Sequence, residues 1–506
     1  MQVLVTGGTG VVGNGVIPEL LAAGHHVRLL SRSASKQSSA WPETVTCING
    51  DVTDPDSIRG AADDCDAVIH ITGIVDEQPP EITFEKVNIA GTANIVAEAA
   101  RAGVQRLIFV SSLGADRGDS PYHKSKLEAE KIVAGFPREW IIVRPGHVFG
   151  PGDEMISMVL KMVRTSPVVP AVGVGQHRFQ PIWYQDFGKG LAACVDHPNL
   201  AGQTLDVAGD DVLTVADLLR KLSKLTHRPA VPIPLPAFLV RGAVAFYELG
   251  KRLLGWKTSL PLNDSKLTML VEENVIPDGR DNALRKVLGV HPTPLDESLL
   301  KLCESLPENP PETGVGRLEH KSFWIDLDDA STDAAGLMTL FKDRIQDIMP
   351  IDFSAEPDAP RRIEHGETLS AHLPGRGNIQ VRVLECEPDR VTFATIEGHP
   401  LAGMVTFTAR QEAGRLRFSI DTHTRPANTL DWLAIHLAGR WFQDLTWKHV
   451  VEKTARLSGA TFDGGVQHRA ETLDDEAAKD VEARANELIH RRKRENVEQH
   501  VAANRS

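Results

Sequence analysis

From Met1 to about Arg144, short runs of β-branched and other apolar residues alternate with longer amphipathic stretches. That alternation predicts βαβ units and a parallel sheet. The predicted strands are Gln2–Thr6, His26–Leu30, Thr44–Asn49, Ala67–Ile71, Arg106–Ser111 and Trp140–Val143, with helices over Phe84–Ala102 and Tyr122–Ala134. Pro18 falls inside the first expected helix, where a missing N–H should kink or weaken it.

The pattern then changes twice. Between Pro145 and about Pro310 it loosens around Pro229, Pro232, Pro234 and Pro236, as expected of a smaller lobe on the parallel core. Pro307–Gly316 has no apolar period and several breakers, and reads as a linker. Beyond it Ile379–Glu385, Arg390–Ile396, Met404–Ala409 and Leu416–Thr422 alternate as antiparallel strands, followed by one long helix from Thr429 to Leu457. Leu430, Leu433, Leu437, Trp441 and Leu445 recur at helical spacing and are expected to face the sheet. The last stretch predicts a charged, solvated helix carrying a small Val481/Ala485/Leu488 stripe, with Thr472-Leu473-Asp474-Asp475 as a capping box and Arg491-Arg492-Lys493-Arg494 near its end.

The expected architecture is thus α/β. A doubly wound parallel sheet with a substrate lobe occupies residues 1–306, the lobe lying mainly in 145–190 and 205–300. A linker spans 307–317, a separate α+β domain spans 318–465, and a helical tail spans 466–506.

A chain of 506 residues with 42% hydrophobic and 24% charged residues can build such cores. The net charge of -13 argues against nucleic acid as a main partner. Five scattered cysteines without a Cys-x-x-Cys pair suit a reducing compartment and offer no zinc site; His372, His399 and His423 lack metal-ligand spacing, so no metal is expected. Met1–Thr6 runs directly into glycines, unlike a signal peptide. The most apolar later stretch, Pro229–Trp256, is broken by Arg241, Glu248, Lys251 and Arg252, so neither a membrane span nor any compartment but the cytoplasm is expected.

Candidate chemistry begins at Thr6-Gly7-Gly8-Thr9-Gly10-Val11-Val12-Gly13, which follows a predicted strand and opens a helix. Glycines there permit a tight turn and close approach of backbone N–H groups to a pyrophosphate at the helix N-terminus. The second strand ends at Ser31-Arg32, where an NAD-specific site would place an acid for the ribose 2′-hydroxyl. Arg32, helped by Ser31 and by Ser33 or Lys36, suits a 2′-phosphate instead, and NADP(H) is favoured over NAD(H). Ser120-Pro121 starts a helix that sets Tyr122 and Lys126 one turn apart on the same face, behind the strand end Ser111-Ser112. An ammonium nearby lowers a phenol's pKa, and a serine hydroxyl can steady the reacting oxygen. Tyr247-Glu248-Leu249-Gly250-Lys251 repeats the spacing without a preceding serine strand and reads as structural.

Together, Gly7–Gly13, Asp51-Val52, Asn88 within Val87–Thr92, Tyr122–Lys126 and Val143–Gly152 resemble the extended and atypical short-chain dehydrogenases/reductases over residues 1 to about 305. Pro181–Asp186 and Val275–Asp278 look most like the branch related to the NADPH-binding accessory subunit of respiratory complex I. The resemblance implies that Asp51 and Val52 border the adenine, that Tyr122 and Lys126 face the nicotinamide ribose, and that Pro145 and Gly146 pass the nicotinamide. The implied cofactor set also takes in Thr72 and Gly73, directly after the strand Ala67–Ile71. Tyr122 is then the acid/base, Lys126 its partner, and Ser112, or Ser111 in its place, the orienting hydroxyl.

Only nine residues separate Ser112 from Tyr122, so the loop that shapes the sugar site of sugar-nucleotide epimerases is missing. Residues 318–460 resemble, more loosely, the START-like helix-grip superfamily, which implies an apolar ligand between sheet and helix. The expectation is an oxidoreductase for an apolar carbonyl such as a quinone or isoprenoid. The alternatives are a non-catalytic NADPH-binding assembly or lipid-handling protein and, further off, an epimerase/dehydratase.

Overall fold

The computed structural model describes residues 1–505 except 173–176, 236–271, 353–355, 357–359, 361, 374–375, 413 and 435–439. The copy of the Tyr-x-x-x-Lys spacing at residues 247–251 lies outside the described residues.

Residues of the N-terminal half form a seven-stranded parallel sheet. Its strands are β1 (Gln2–Thr6), β2 (His26–Ser31), β3 (Val45–Asn49), β4 (Ala67–His70), β5 (Arg106–Val110) and β6 (Glu139–Pro145), joined at one edge by Gln203–Val207. The spatial order β3-β2-β1-β4-β5-β6 is that of a doubly wound dinucleotide fold, with the chain reversing between β1 and β4. Val3, Val5, Val27, Leu29 and Ile69 are fully buried in its core, as continuous apolar strands covered on both faces must be. Helix α1 (Val11–Ala22) runs as one element through Pro18. The expected helix over 84–102 divides into a π-helical turn, Glu85–Ala90, and the α-helix α2 (Gly91–Ala102).

The C-terminal domain is a separate antiparallel sheet of seven strands, centred on the long pair Leu401–Glu412 and Arg415–Pro426. Three strands escaped the sequence pattern: Glu319–Leu327, Thr368–Leu373 and Gln467–Thr472. Phe323, Ile325, Phe393, Phe407, Phe418 and Ile420 line one face and pack on Leu337, Met338, Phe341, Val450, Val451 and Ala455.

The region 429–457 holds two described helices, Thr429–Ala434 and Arg440–Leu457, with 435–439 between them outside the described residues. Three expectations need correction. Leu433 and Leu445 are exposed at 52% and 46% and do not face the sheet; Val450, Val451 and Ala455 do. The side chains of Leu430, Leu437 and Trp441 lie outside the described residues. Thr472 ends a strand, and Asp474 caps the last helix by accepting from the N–H groups of Glu476 and Ala477. That helix, Asp475–Arg505, is not a free solvated rod: Ala485, Leu488 and Val497 are buried against both halves of the molecule.

Residues 307–316 are likewise docked. Asn309 N–H donates to Thr395, and Glu308 is a buried anion between Arg382 and Arg492. No described helix is long and apolar enough to cross a membrane.

Candidate active site

Helix α3 (Pro121–Ala134) carries the central residues. Ser120 caps it in extended conformation, accepting from His123 N–H at 3.3 Å, and Pro121 occupies the first turn. The helix therefore starts at a fixed point beside the C-terminal end of β5, with Tyr122 and Lys126 turned inward and buried. The Ser112 hydroxyl donates to the Leu113 carbonyl at 3.2 Å and stands close enough to the Tyr122 phenol to act on its pKa. Burial raises the pKa of that phenol, and Ser112 opposes the rise. Lys126 is not what lowers it: its Nζ donates to the Val110 carbonyl at 2.9 Å and stands 4.9 Å from the Phe109 ring centroid. Burial brings Lys126 itself down to about 8, with Glu130 opposing the shift.

Ser111 is turned elsewhere. Its hydroxyl donates to Glu130 at 2.5 Å, and Glu130 takes two further bonds from Arg144. This buried knot braces α3 against β6, the strand that leads to Pro145 and Gly146. Both of those residues are buried, and a Cβ on Gly146 would strike the Gln180 carbonyl at 2.1 Å.

The glycine turn is built for close approach. Gly7 has φ +70, a conformation that L side chains rarely adopt, and a Cβ on Gly13 would meet Gly8 at 2.2 Å. A Cβ on Gly10 meets only the Gly7 carbonyl, at 3.5 Å, so that corner is open. No side chain caps α1, and the N–H groups of Val11, Val12 and Gly13 lie in its uncapped first turn. Thr9 lies in the turn between β1 and α1. An open glycine corner before an uncapped helix fits a dinucleotide pyrophosphate.

The other expected residues surround this turn. Asp51 accepts from the Thr53 hydroxyl and N–H, and Val52 is buried beside Gly91. Thr72 N–H donates to Thr6, and a Cβ on Gly73 would come within 3.0 Å of Lys126 Nζ and 3.3 Å of Asn88 Oδ1. Asn88 sits in the π-helical turn, accepts from Ile74 N–H at 2.8 Å and donates to the Ile74 carbonyl and to Ser125 at 2.9 Å. Ser31 ends β2, while Arg32 is exposed without an ion-pair partner among the described residues.

Three groups were missed. His70, held by Thr6 at 2.7 Å and Thr92 at 3.1 Å, is driven by burial to about 3 and stays neutral beneath the site. Ser125 lies inside the Tyr122–Lys126 motif, and its spacing three residues from Tyr122 was the available signal. His123 bonds Glu272 at 2.5 Å, and Glu272 also accepts from the N–H groups of Asp119 and Ser120. No local pattern could pair residues 149 positions apart.

Comparison with known proteins agrees with this geometry. A family model described as NAD(P)H-binding matches residues 7–158. A ceramide reductase of Caulobacter vibrioides is 30% identical over 245 residues, covering 48% of this chain and 76% of that protein. The chain belongs to this NAD(P)H-binding, short-chain dehydrogenase/reductase-like family. Mouse NADH dehydrogenase [ubiquinone] 1 alpha subcomplex subunit 9 is 30% identical over 255 residues, 50% of this chain and 65% of the relative's length. A UDP-glucose 4-epimerase of Vibrio cholerae is 26% identical over 278 residues, 50% of this chain and 82% of the relative.

Proposed function

We propose that this protein is an NADP(H)-dependent reductase of an apolar carbonyl compound. The observation that carries the reading is the buried Tyr122 phenol with Ser112 beside it and Lys126 one helical turn on, next to the open glycine corner. In this reading NADP(H), when bound, supplies or accepts the hydride. Tyr122 gives its phenolic proton to the carbonyl oxygen, Ser112 orients that oxygen, and Lys126 uses its remaining N–H groups on the nicotinamide ribose. Ser111, committed to Glu130, plays no direct part. Gly7–Gly13 receive the pyrophosphate, Asp51 and Val52 border the adenine, and Ser31 and Arg32 meet a 2′-phosphate.

The apolar substrate class draws support from the ceramide reductase among the relatives. The C-terminal sheet packed on the helix Arg440–Leu457 is read as START-like, with the apolar ligand held between that sheet and helix. The test is cofactor oxidation over a panel of quinones, ketosphingoid bases and short ketones. Turnover of none of them by a cofactor-loaded protein would end the reductase reading.

A second reading, a non-catalytic NADPH-binding assembly factor, is favoured by one observation: the Tyr122 phenol is raised by burial with only Ser112 to oppose it. Both readings require cofactor binding and part only at turnover.

A further inference from the structure

The helix Asp475–Arg505 is polar over most of its surface, yet it is anchored at two places. Ala485 and Leu488 pack on Leu384, Ala394 and Met404 of the antiparallel sheet. Val497 and Val501 join the core of the dinucleotide fold, where His500 pairs with Glu19 at 2.9 Å and Arg505 donates to the Leu21 carbonyl at 2.6 Å. Between the anchors the helix crosses the turn that follows β2. His490 bonds the Ser39 hydroxyl at 2.8 Å, Arg494 donates to the Ser39 carbonyl at 3.4 Å, and Lys493 Nζ stands 4.2 Å from the Trp41 ring centroid.

That turn is a 3-10 helix, Ala34–Ala40, closed by the buried Trp41. Its other side is tied to β3: Ser35 N–H donates to Asn49 at 2.9 Å, and Asn49 donates back to the Ser35 hydroxyl at 2.7 Å. Only Ser33 separates this helix from Arg32, whose side chain is exposed and unpaired among the described residues. The direction in which Arg32 leaves the sheet is therefore set by how the 3-10 helix is held. An arginine whose backbone is already fixed loses less conformational entropy when it binds an anion.

We propose that Lys493, with His490 and Arg494, is a positioning residue of the cofactor site: through Trp41 and Ser39 the C-terminal helix aims Arg32 at the adenosine 2′-phosphate. The proposal rests on reading Arg32 as the 2′-phosphate partner. It ties the choice between the two dinucleotides to residues 451 positions along the chain.

The Lys493 ammonium faces Trp41, with Glu308, Cys47 and His490 as its titratable neighbours, and Glu312 lies beyond His490. Burial lowers Lys493 to about 8, so its charge on the indole is present below that pH and lost above it. Arginine at the same place stays charged throughout.

The test is fluorescence titration of the full chain with NADPH and with NADH from pH 6.5 to 9, expressed as the ratio of the two dissociation constants. Lys126 also titrates near 8, but it faces the ribose common to both cofactors and cancels in the ratio. Lys493→Met should reduce the NADPH preference about fivefold at pH 7, the upper end for a solvent-accessible cation–π contact. Lys493→Arg should restore it. In the parent the preference should fall as pH rises through about 8, and in Lys493→Arg it should stay flat; this arm decides if Lys493→Met fails to fold. An NADPH preference that depends on Arg32 but ignores Lys493 and pH overturns the inference and leaves the cofactor reading standing. Equal affinities in the parent, or no loss on Arg32→Ala, overturn both.

Discussion

Two groups of buried polar residues in this protein look alike in the sequence and differ in what their hydrogen bonds are used for. At the interface between the lobe and the antiparallel sheet, each guanidinium nitrogen of Arg164 and Arg382 donates to at least one partner. Arg164 binds Glu356, Gln380 and the Cys303 carbonyl; Arg382 binds Thr368, Glu308 and the Glu304 and Leu306 carbonyls. At the end of β5, Lys126 Nζ makes one bond, to the Val110 carbonyl, beside the buried Tyr122 phenol. A saturated buried cluster fixes two surfaces in one arrangement; an unsaturated one keeps donors for something that arrives later. The burial is comparable, Arg382 and Lys126 being 2% and 4% exposed.

The sharpest way to break this comparison is to truncate a member of the saturated cluster. Arg382→Ala leaves Glu308 buried with only Arg492 and should cost about 3–5 kcal/mol of stability in denaturant unfolding. A loss under about 1 kcal/mol would mean that the interface does not depend on it.

On the other side, Tyr122→Phe should leave stability and NADPH affinity near the parent's while lowering any turnover at least ~100-fold. A fully active variant would remove the tyrosine chemistry.

Arg32→Ala should weaken NADPH by about 1.5–3 kcal/mol, the scale of a charge-assisted bond, and leave NADH nearly unchanged. Titration of both cofactors separates the two.

The smallest effect concerns His320, which lies between Asp421 at 3.2 Å and Glu471 at 3.0 Å and joins three strands. The bond to Asp421 raises its pKa above 6.5; burial opposes the rise, and the bond to Glu471 adds to it. Its stacked neighbour His423 is lowered to about 4 by burial, so His320 alone carries the charge above that pH. A raised folded-state pKa gives stability that is full below 6.5 and is lost as pH rises through the folded value. Hydrogen exchange in Gln467–Thr472 should therefore quicken, beyond its intrinsic pH dependence, as pH rises above 6.5, and His320→Asn should abolish that extra quickening.

The glycine turn, six of the seven strands of the parallel sheet and the Ser120-Pro121 helix start were legible because each depends on neighbours within a few residues. A strand–glycine–helix order states its own geometry, and Ser before Pro states where a helix begins. The role of Leu433 and Leu445 was not legible. A stripe at helical spacing says that one face is apolar, while which face meets the sheet is settled by where the strands end and how the helix enters. The charged tail misled for a related reason: Ala485, Leu488 and Val497 make too sparse a stripe to announce burial, and two separate surfaces had to come together to cover it.

By itself, then, the sequence determined the dinucleotide half, its open glycine corner, and the presence of Tyr122, Lys126 and Ser112 at one strand end. Only the tertiary structure decided that Ser111 serves Glu130 and not the phenol, that Glu272 holds the two residues leading into the helix of Tyr122, and that residues 490–494 reach the turn after Arg32. The physical reason is range. Turn and cap chemistry is fixed by atoms close along the chain, whereas the pairing of a buried charge is fixed by whichever partner the folded backbone brings within about 3 Å.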